Sequence, residues 1–500
     1  MTVSRRRFVR IAGVLFAGGA VTSLLAACGG GAAPSPTAAP AAAPTTAPKP
    51  AATTAPAAAA PTSAASPAAA AKPTEGAGAK PTTAPAAAQS GPVAKPKSGA
   101  TLKILVWSHF VPAYDEWLDN YGKSWGQKNN VTVTVDHLRT DDLPARLAAE
   151  ASAGAGHDLF EFQGVLQAST YKDKLVDLTD VANAVGAKYG GWVDTAKTFG
   201  VVDGKWMCVM TFMIMQPHLY RTDYFKAAGY DKFPDDYPTL LEASAKLKEQ
   251  GHPGGLALSN CNDGNHNWRS VLYSFGGTEQ SADGQKVTLA SDETLAAIKY
   301  GVELFNKGMT DEVFSWDNSG NNLLLLSGRG SWIDNATSAY ITAKNQSPEV
   351  FEATKIALQP KGGGAKAARR NGVDANAWAV WKWANDADTA KAFIADWYDQ
   401  WQEWGKVTNG YNSPPLLDMW KKPMPGLEDP NFQIMQDWRE VAFVAGYQGT
   451  FNSAIEEINA TFVMPNMFVR AVRGESPDAA MKWGESEYKR IFQKHGVSNP

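Results

Sequence analysis

From residue 101 onward, short continuous apolar runs alternate with stretches whose apolar residues recur at helical spacing. Leu102-Lys103-Ile104-Leu105-Val106-Trp107 is the first run and predicts a buried strand. Ala113 to Gly126 predicts a helix, with Tyr114, Trp117, Leu118 and Tyr121 on one face. Val131-Thr132-Val133-Thr134-Val135 is β-branched throughout and predicts a second strand. Asp142 to Ala151 predicts a helix, and Asp158 to Phe162 a third strand. The order strand, helix, strand, helix, strand implies a parallel sheet with helices on both faces, an α/β class. In such sheets ligands sit beyond the carboxyl ends of the strands. The loops that start at Trp107 and Phe162 are therefore the first places to look for a site.

The pattern continues with an apolar run from Trp206 to Tyr220. Leu256-Ala257-Leu258 and Gly330-Ser331-Trp332-Ile333 read as later strands, and Leu240–Glu249 and Thr294–Asn306 as helices. Asp388 to Trp404 reads as one helix carrying Phe393, Ile394, Trp397, Trp401 and Trp404, a stripe that favours core. About 400 residues of this kind exceed one comfortable core, so two lobes are expected.

Residues 1–100 follow a different pattern. Arg5-Arg6-Arg7-Phe8-Val9-Arg10 precedes an apolar stretch from Ile11 to Ala27. A basic segment followed by an apolar one reads as an export signal. The paired arginines resemble a twin-arginine signal, and the general secretory route shares the basic segment. Leu25-Ala26-Ala27-Cys28 resembles a bacterial lipobox, which implies that Cys28 is lipidated and becomes the mature N-terminus. Residues 1–28 are thus read as a signal peptide with a lipobox. No other stretch reaches the ~18 apolar residues of a membrane span. Residues 29–100 are almost entirely Ala, Pro, Thr, Gly, Ser and Lys, with no aromatic residue. Such a segment cannot offset its ordering entropy and is expected to be a disordered tether.

Charge divides at the same place. The leader holds four arginines and no acid, and the tether five lysines against Glu75. Residues 101–500 keep 38 basic and 49 acidic side chains, together with all 17 tryptophans. A head of that sign repels a polyanion overall, so no nucleic-acid partner is expected. The cysteines are Cys28, Cys208 and Cys261. A Cys208–Cys261 bridge and two free thiols are both open.

The catalytic and metal motifs with strong spacing are missing. There is no His-Glu-x-x-His and no Gly-x-Ser-x-Gly. Asp311–Asn322 lacks the glycine and terminal glutamate of a calcium loop. No metal, cofactor or catalytic residue is called for. Aromatic residues instead stand beside neutral polar ones: Trp107-Ser108-His109-Phe110, Phe162-Gln163, Asn262-Asp263-Gly264-Asn265-His266-Asn267-Trp268 and Asp374-Ala375-Asn376-Ala377-Trp378. Sugars present apolar ring faces and a belt of hydroxyls, which aromatic rings and Asp, Asn or Gln side chains complement. Each of these tryptophans also has a plain core reading.

Several segments together resemble the extracellular solute-binding protein family 1, which includes maltose- and multiple-sugar-binding proteins of ABC importers. They are Lys103–Trp107, Gly156-His157-Asp158-Leu159-Phe160, Val202-Asp203-Gly204-Lys205-Trp206 running on to Phe225, Leu326–Trp332, Asn409-Gly410-Tyr411-Asn412-Ser413-Pro414, and Gly474-Glu475-Ser476-Pro477. Trp206 and Trp332 depart from the Tyr and Met that the family usually has there. The resemblance covers residues 101–500. It implies a two-lobed periplasmic-binding-protein-like fold, with lobe 1 over 101–212 and 372–425 and lobe 2 over 213–371 and 426–500. It also implies a ligand cleft between the lobes, permease subunits of an importer as partners, and a monomer lipid-anchored to the outer face of the bacterial cell membrane. The expected ligand contacts are Trp107, His109, Phe110, Phe162 and Gln163 at strand ends of lobe 1. Trp268 after a polar loop, Asp334 and Asn335 after a strand of lobe 2, Asn376 at the start of a returning strand, and Tyr447 in a turn before a helix complete the set. The rival reading is a secreted, lipid-anchored enzyme acting on polysaccharides, and an adhesin is a third.

Overall fold

β1 (Thr101–Trp107) is apolar and buried on both faces from Ile104 onward because it lies inside a sheet. It pairs in parallel with β2 (Thr132–Leu138) along its whole length, and on its other side with β3 (Leu159–Gln163). The helices predicted between them form, at Pro112–Asn129 and Leu143–Ala153. Pro112 opens the first, where a missing N–H costs nothing. Asn130 closes it in a left-handed conformation at φ 52°. A side chain at Gly126 would meet the Val131 carbonyl at 2.5 Å, so only glycine lets the chain fold back so tightly into β2. The computed structural model describes residues 93–140, 142–163, 168–421, 424–436, 438, 441–449 and 451–500. The expected signal peptide over 1–28, with Cys28, and the tether as far as residue 92 lie outside the described residues. Residues Lys97–Ala100, assigned to the tether, are held by the head: Lys97 N–H donates to Thr389 Oγ1 at 2.9 Å and Gly99 N–H to the Asn130 carbonyl at 2.6 Å.

The apolar run from Trp206 to Tyr220 divides between two sheets. A small hairpin, β4 (Val201–Val202) and β5 (Lys205–Trp206), precedes the fully buried β6 (Val209–Met215). After Gln216-Pro217 the chain enters β7 (His218–Arg221), the middle strand of a second sheet. There β7 pairs antiparallel with β8 (Trp332–Asp334) and β9 (Thr354–Ala357). The chain returns as β10 (Asn371–Val380), ten buried residues between β6 and β3. With β11 (Asn412–Ser413) on β6 and β12 (Ala442–Phe443) on β10, the large sheet runs β11-β6-β10-β3-β1-β2. The expectation of a parallel sheet holds for β1, β2 and β3 and fails at β10, which is antiparallel to both neighbours. The reason is direction of entry: β10 comes from the second sheet and so runs opposite to the strands that point towards it.

Two further expectations change. Leu256–Leu258 is not a strand, because side chains of the helix Asn262–Ser274 take its backbone groups. Asn267 Oδ1 accepts from Ala257 N–H at 3.0 Å, and Trp268 Nε1 donates to the Ala257 carbonyl at 2.7 Å. Asp388–Trp404 is two helices, Ala387–Tyr398 and Trp401–Val407, whose Trp397 and Trp404 rings stack at 5.4 Å across the break. Cys208 and Cys261 are both free, which removes the disulfide alternative. No described helix is long and apolar enough to cross a membrane.

The core of the large sheet contains an acid. Glu161 of β3 is 1% exposed, with one oxygen accepting from the Thr211 hydroxyl at 2.7 Å and the other without a partner among the described residues. Burial pushes its carboxyl up to about 8, against the smaller opposing effect of the Thr211 hydrogen bond. The folded state therefore holds a proton that the unfolded chain releases near an ordinary carboxylate value. The stability this proton contributes is present below about pH 4.5 and lost as pH rises towards 8. Glu161→Gln should flatten the fall in unfolding free energy between pH 5 and 8 by on the order of 1 kcal/mol per pH unit. Superimposable pH profiles for the variant and the natural protein would contradict this protonation.

Candidate functional site

The strand β6 leaves the large sheet and β10 enters it side by side, and the site is built around that crossing. Gln216, the residue after β6, offers its backbone carbonyl to two side chains. These are Gln359 Nε2 at 2.5 Å and Asn371 Nδ2 at 3.2 Å. Gln359 Nε2 also reaches Asp334 Oδ2 at 2.9 Å. Amides are suited to this place because one side chain can donate to a carbonyl and a carboxylate together. The side chain of Gln216 donates from Nε2 to Asp374 Oδ2 at 3.0 Å, and His266 Nε2 bonds the other oxygen of Asp374.

A chamber opens beside this crossing. Its large-sheet wall is formed by Phe110, Gln216, Asp374 and Tyr411. The opposite wall is Asn262, Asp263, Asn318, Asn335, Ala336 and Ser338. The chamber itself encloses about 20 Å³, the volume of a water and not of a sugar ring. Outwards it shares Phe110 and Asn318 with a mouth of about 250 Å³, bounded by Ser108, Arg139 and Thr140 on one side and Asp317 and Ser319 on the other. Inwards it shares Asn262 with a second small cavity lined by Asn265, His266, Arg269 and Asn459.

Local structure explains each wall. The loop after β1 is rigid. His109 Nδ1 accepts from Val111 N–H at 2.9 Å, which leaves the proton on Nε2 facing Asn412 Oδ1 at 2.9 Å. Burial lowers the His109 pKa to about 4, against weaker opposing contributions from Asn412 and Asp115, so the ring is neutral. Trp107 stacks beneath His109 at 4.7 Å. The result is that Phe110, 39% exposed, is held out at the chamber. On the other wall the helix Asn262–Ser274 begins at Cys261, whose sulfur accepts from Gly264 N–H at 3.4 Å. Its first turn carries Asp263, whose Oδ2 accepts from Asn321 Nδ2 at 2.8 Å. Burial still pushes the Asp263 carboxyl up to about 8. The Asn321 bond opposes the rise, and the charges of Asp374 and Asp334 add to it. The Tyr411 hydroxyl is raised by burial and then by Asp374 and Asp263, which places these three groups in one field.

Of the expected contacts, the structure brings Phe110 and Asn335 to the chamber wall. Asn335 Nδ2 donates to Asn321 Oδ1 at 2.7 Å and Asn322 Oδ1 at 2.8 Å. Asp334 stands one layer behind, one oxygen bonded to Gln359 and the other unpartnered among the described residues, its pKa raised by burial. Trp107 and His109 support the loop from within. Phe162 is buried edge-on to Phe160 at 4.8 Å. Gln163 ends β3 opposite Asn376, and its side chain lies outside the described residues. Asn376 does not begin its strand; it is buried in the middle of β10, with no side-chain partner among the described residues. Tyr447 packs on Tyr273 at 5.3 Å and under the Arg370 guanidinium at 5.6 Å, away from the chamber. Trp268 is corrected most. It is within a helix and not on a loop, fully buried, and stacked on Phe468 at 4.3 Å.

Gln216, Asp263, Asn318, Asp374 and Tyr411 were not singled out from the sequence. Their signals were present: Gln216 is the polar stop of the run Met207–Met215, and Asp263 and Asp374 stand at or next to the start of the two polar motifs in which Trp268 and Asn376 were chosen. A choice weighted towards tryptophan takes the core member of each motif.

The sequence matches, over residues 116–418, the family model described as bacterial extracellular solute-binding protein. No curated protein matches it. Solved structures share its fold. A maltose-bound protein of T. maritima aligns with TM-score 0.67 at 18% identity, over 78% of this chain and 100% of that one. A sugar transporter protein of Arthrobacter chlorophenolicus A6 with bound laminaribiose gives 0.68 at 16%, over 78% and 99%. An ABC transporter solute-binding protein of Agrobacterium radiobacter K84 in complex with ribitol gives 0.65 at 18%, over 80% and 100%. The architecture is thus the two-lobed binding-protein fold.

Trp268→Ala should lower the unfolding free energy by about 3–5 kcal/mol, the usual cost of emptying a buried aromatic position. A chemical denaturation curve within about 1 kcal/mol of the natural protein would contradict its place in the core.

Proposed function

The chain belongs to the bacterial extracellular solute-binding protein family, and from that premise we propose that it captures a carbohydrate or related polyol between its lobes for an ABC importer. The observation that carries the reading is the composition of the chamber. Two aromatic side chains, Phe110 and Tyr411, stand among seven polar ones that converge from both walls. An aromatic ring covers the apolar face of a sugar, and buried amides and carboxylates bond its hydroxyls. The three neighbours described above hold maltose, laminaribiose and ribitol, all polyhydroxylated molecules.

Closure follows from the same geometry. A chamber with room for a water admits a sugar only if its walls separate. The two crossings, β6 to β7 and β9 to β10, are the places where a small backbone change would open them. We assign lobe 1 to 101–212 and 372–425 and lobe 2 to 213–371 and 426–500, with ligand shifting the balance towards the closed form that a permease reads. In this reading Cys28 carries the lipid anchor and the Pro- and Ala-rich tether lets the head stand off the membrane outside the cell.

Thermal unfolding of the protein across a panel of mono- and oligosaccharides and polyols tests the reading. A ligand at about 100 times its Kd adds ~2.7 kcal/mol, a rise of roughly 3 °C for a head of this size. Phe110→Ala should keep the unliganded melting temperature and lose most of that rise. Fatty-acid labelling of the natural protein, absent from Cys28→Ala, checks the anchor in the same preparation. No rise with any member of the panel, or equal labelling of both proteins, would contradict the respective part.

A further inference from the structure

The chamber has an imbalance of hydrogen-bonding capacity and of charge. Asp263 and Asp374 both line it, and no lysine or arginine does. The nearest guanidinium in the inner cavity, Arg269, is already neutralised. Its Nε lies 2.6 Å from Glu279 Oε1, both groups are buried, and the Tyr488 hydroxyl donates to the other oxygen of Glu279 at 2.6 Å. His266 and Gln216 each bond one oxygen of Asp374, whereas Asp263 has only the Asn321 amide on its Oδ2 and no basic partner among the described residues. A second, independent observation concerns Gln216, which is 2% exposed and lines the chamber. Its Nε2 is committed to Asp374, and its Oε1 has no partner among the described residues. In the adjoining cavity the side-chain oxygens of Asn265 and Asn459 are likewise buried without partners among the described residues. The orphaned amide atoms along this path are all acceptors, while Asn335 has committed its N–H groups to Asn321 and Asn322.

An unpartnered buried acceptor costs free energy that a donor restores. A neutral hydroxyl brings one donor and two lone pairs that need donors in return. An ammonium brings three donors, no acceptor and a positive charge that draws Asp263 to its ionised form. Among the described residues no group of three or more acids, histidines or cysteines is arranged to hold a metal ion, and the rings of Phe110 and Tyr411 beside the acids favour an organic cation. Resting on the reading of the chamber as a saccharide site, we propose that its ligand is an amino-substituted saccharide whose protonated amine sits between Asp263, Asp374 and the free oxygen of Gln216. The rings of Phe110 and Tyr411 favour this over a plain polyamine, which has no ring face to cover. Burial and the neighbouring acids hold Asp263 at about 8 in the empty chamber, a strain that an ammonium relieves.

Calorimetric titration of the full chain with matched probes tests the proposal. Chitobiose, cellobiose and N,N′-diacetylchitobiose share one linkage and differ in carrying amines, hydroxyls or acetamides; spermidine carries amines without a ring. Chitobiose should bind at least about tenfold tighter than either disaccharide analogue, as a charge-assisted hydrogen bond implies. Asp263→Asn and Asp374→Asn should each bring that ratio towards one, whatever each does to the affinity for cellobiose itself. The ratio is read within each variant, so a loss of stability does not imitate the effect. Cellobiose binding as well as chitobiose, or a ratio unmoved by both substitutions, would overturn the amine and leave the carbohydrate reading standing. Binding of spermidine alone would overturn the saccharide and keep the charge. No binding by any probe would overturn the proposal as stated.

Discussion

The crossing of β6 and β10 is the constraint from which the site follows. Two chain segments must pass from one sheet to the other, and in passing they leave the ladders that satisfied their backbone groups. A buried carbonyl without a partner is expensive. The chain answers with side-chain amides. The side chains of Gln359 and Asn371 donate to the Gln216 carbonyl, and the backbone N–H of Asn335 donates to the Pro217 carbonyl at 3.2 Å. These bonds hold the crossing segments together, and they leave polar side chains turned into the space between the sheets. A polar chamber at this point is thus a consequence of joining two sheets by continuous chain.

The acids of the chamber are placed at a cost. Asp263 and Asp334 are buried near each other and near Asp374, and burial raises both of their pKa values. Asp263 gains some relief from standing in the first turn of a thirteen-residue helix, whose N-terminal dipole favours negative charge. Side chains selected only for stability would not gather there. Polar groups that are incompletely satisfied in the empty protein are those a bound molecule can satisfy. The aromatic core behaves oppositely: Trp107, Trp268, Trp378, Trp397 and Trp404 are all buried away from the chamber.

Much of the fold was legible because it rests on local periodicity. The first three strands and two helices, and the helices at 237–249 and 292–308, follow from apolar spacing that tertiary context did not override. The direction of β10 was not legible, because it depends on which sheet the chain comes from. The break at Asp399–Gln400 was hidden since both halves of the stripe remain apolar on one side. At the site, the sequence motifs were right and the chosen members often were not. Trp268 is in the motif that supplies Asn262 and Asp263, and Asn376 is two residues beyond Asp374. On the helix, Asp263 and Trp268 fall on different faces; on β10, Asp374 and Asn376 share a face but differ in depth, Asp374 lying at the chamber and Asn376 inside the sheet, and composition alone carries neither distinction.

Hydrogen exchange of the full chain with and without a saccharide that raises its melting temperature tests most directly whether the ligand sits between the sheets. Backbone amides of Asn262–Asn265, Asn335–Ala336 and Val373–Ala375 should slow together, because they belong to opposite walls of one chamber and to the crossing that joins them. The helix face at Tyr121–Lys128, remote from the chamber, should exchange unchanged. Protection confined to one wall, or appearing at Tyr121–Lys128 instead, would contradict a ligand enclosed between the lobes.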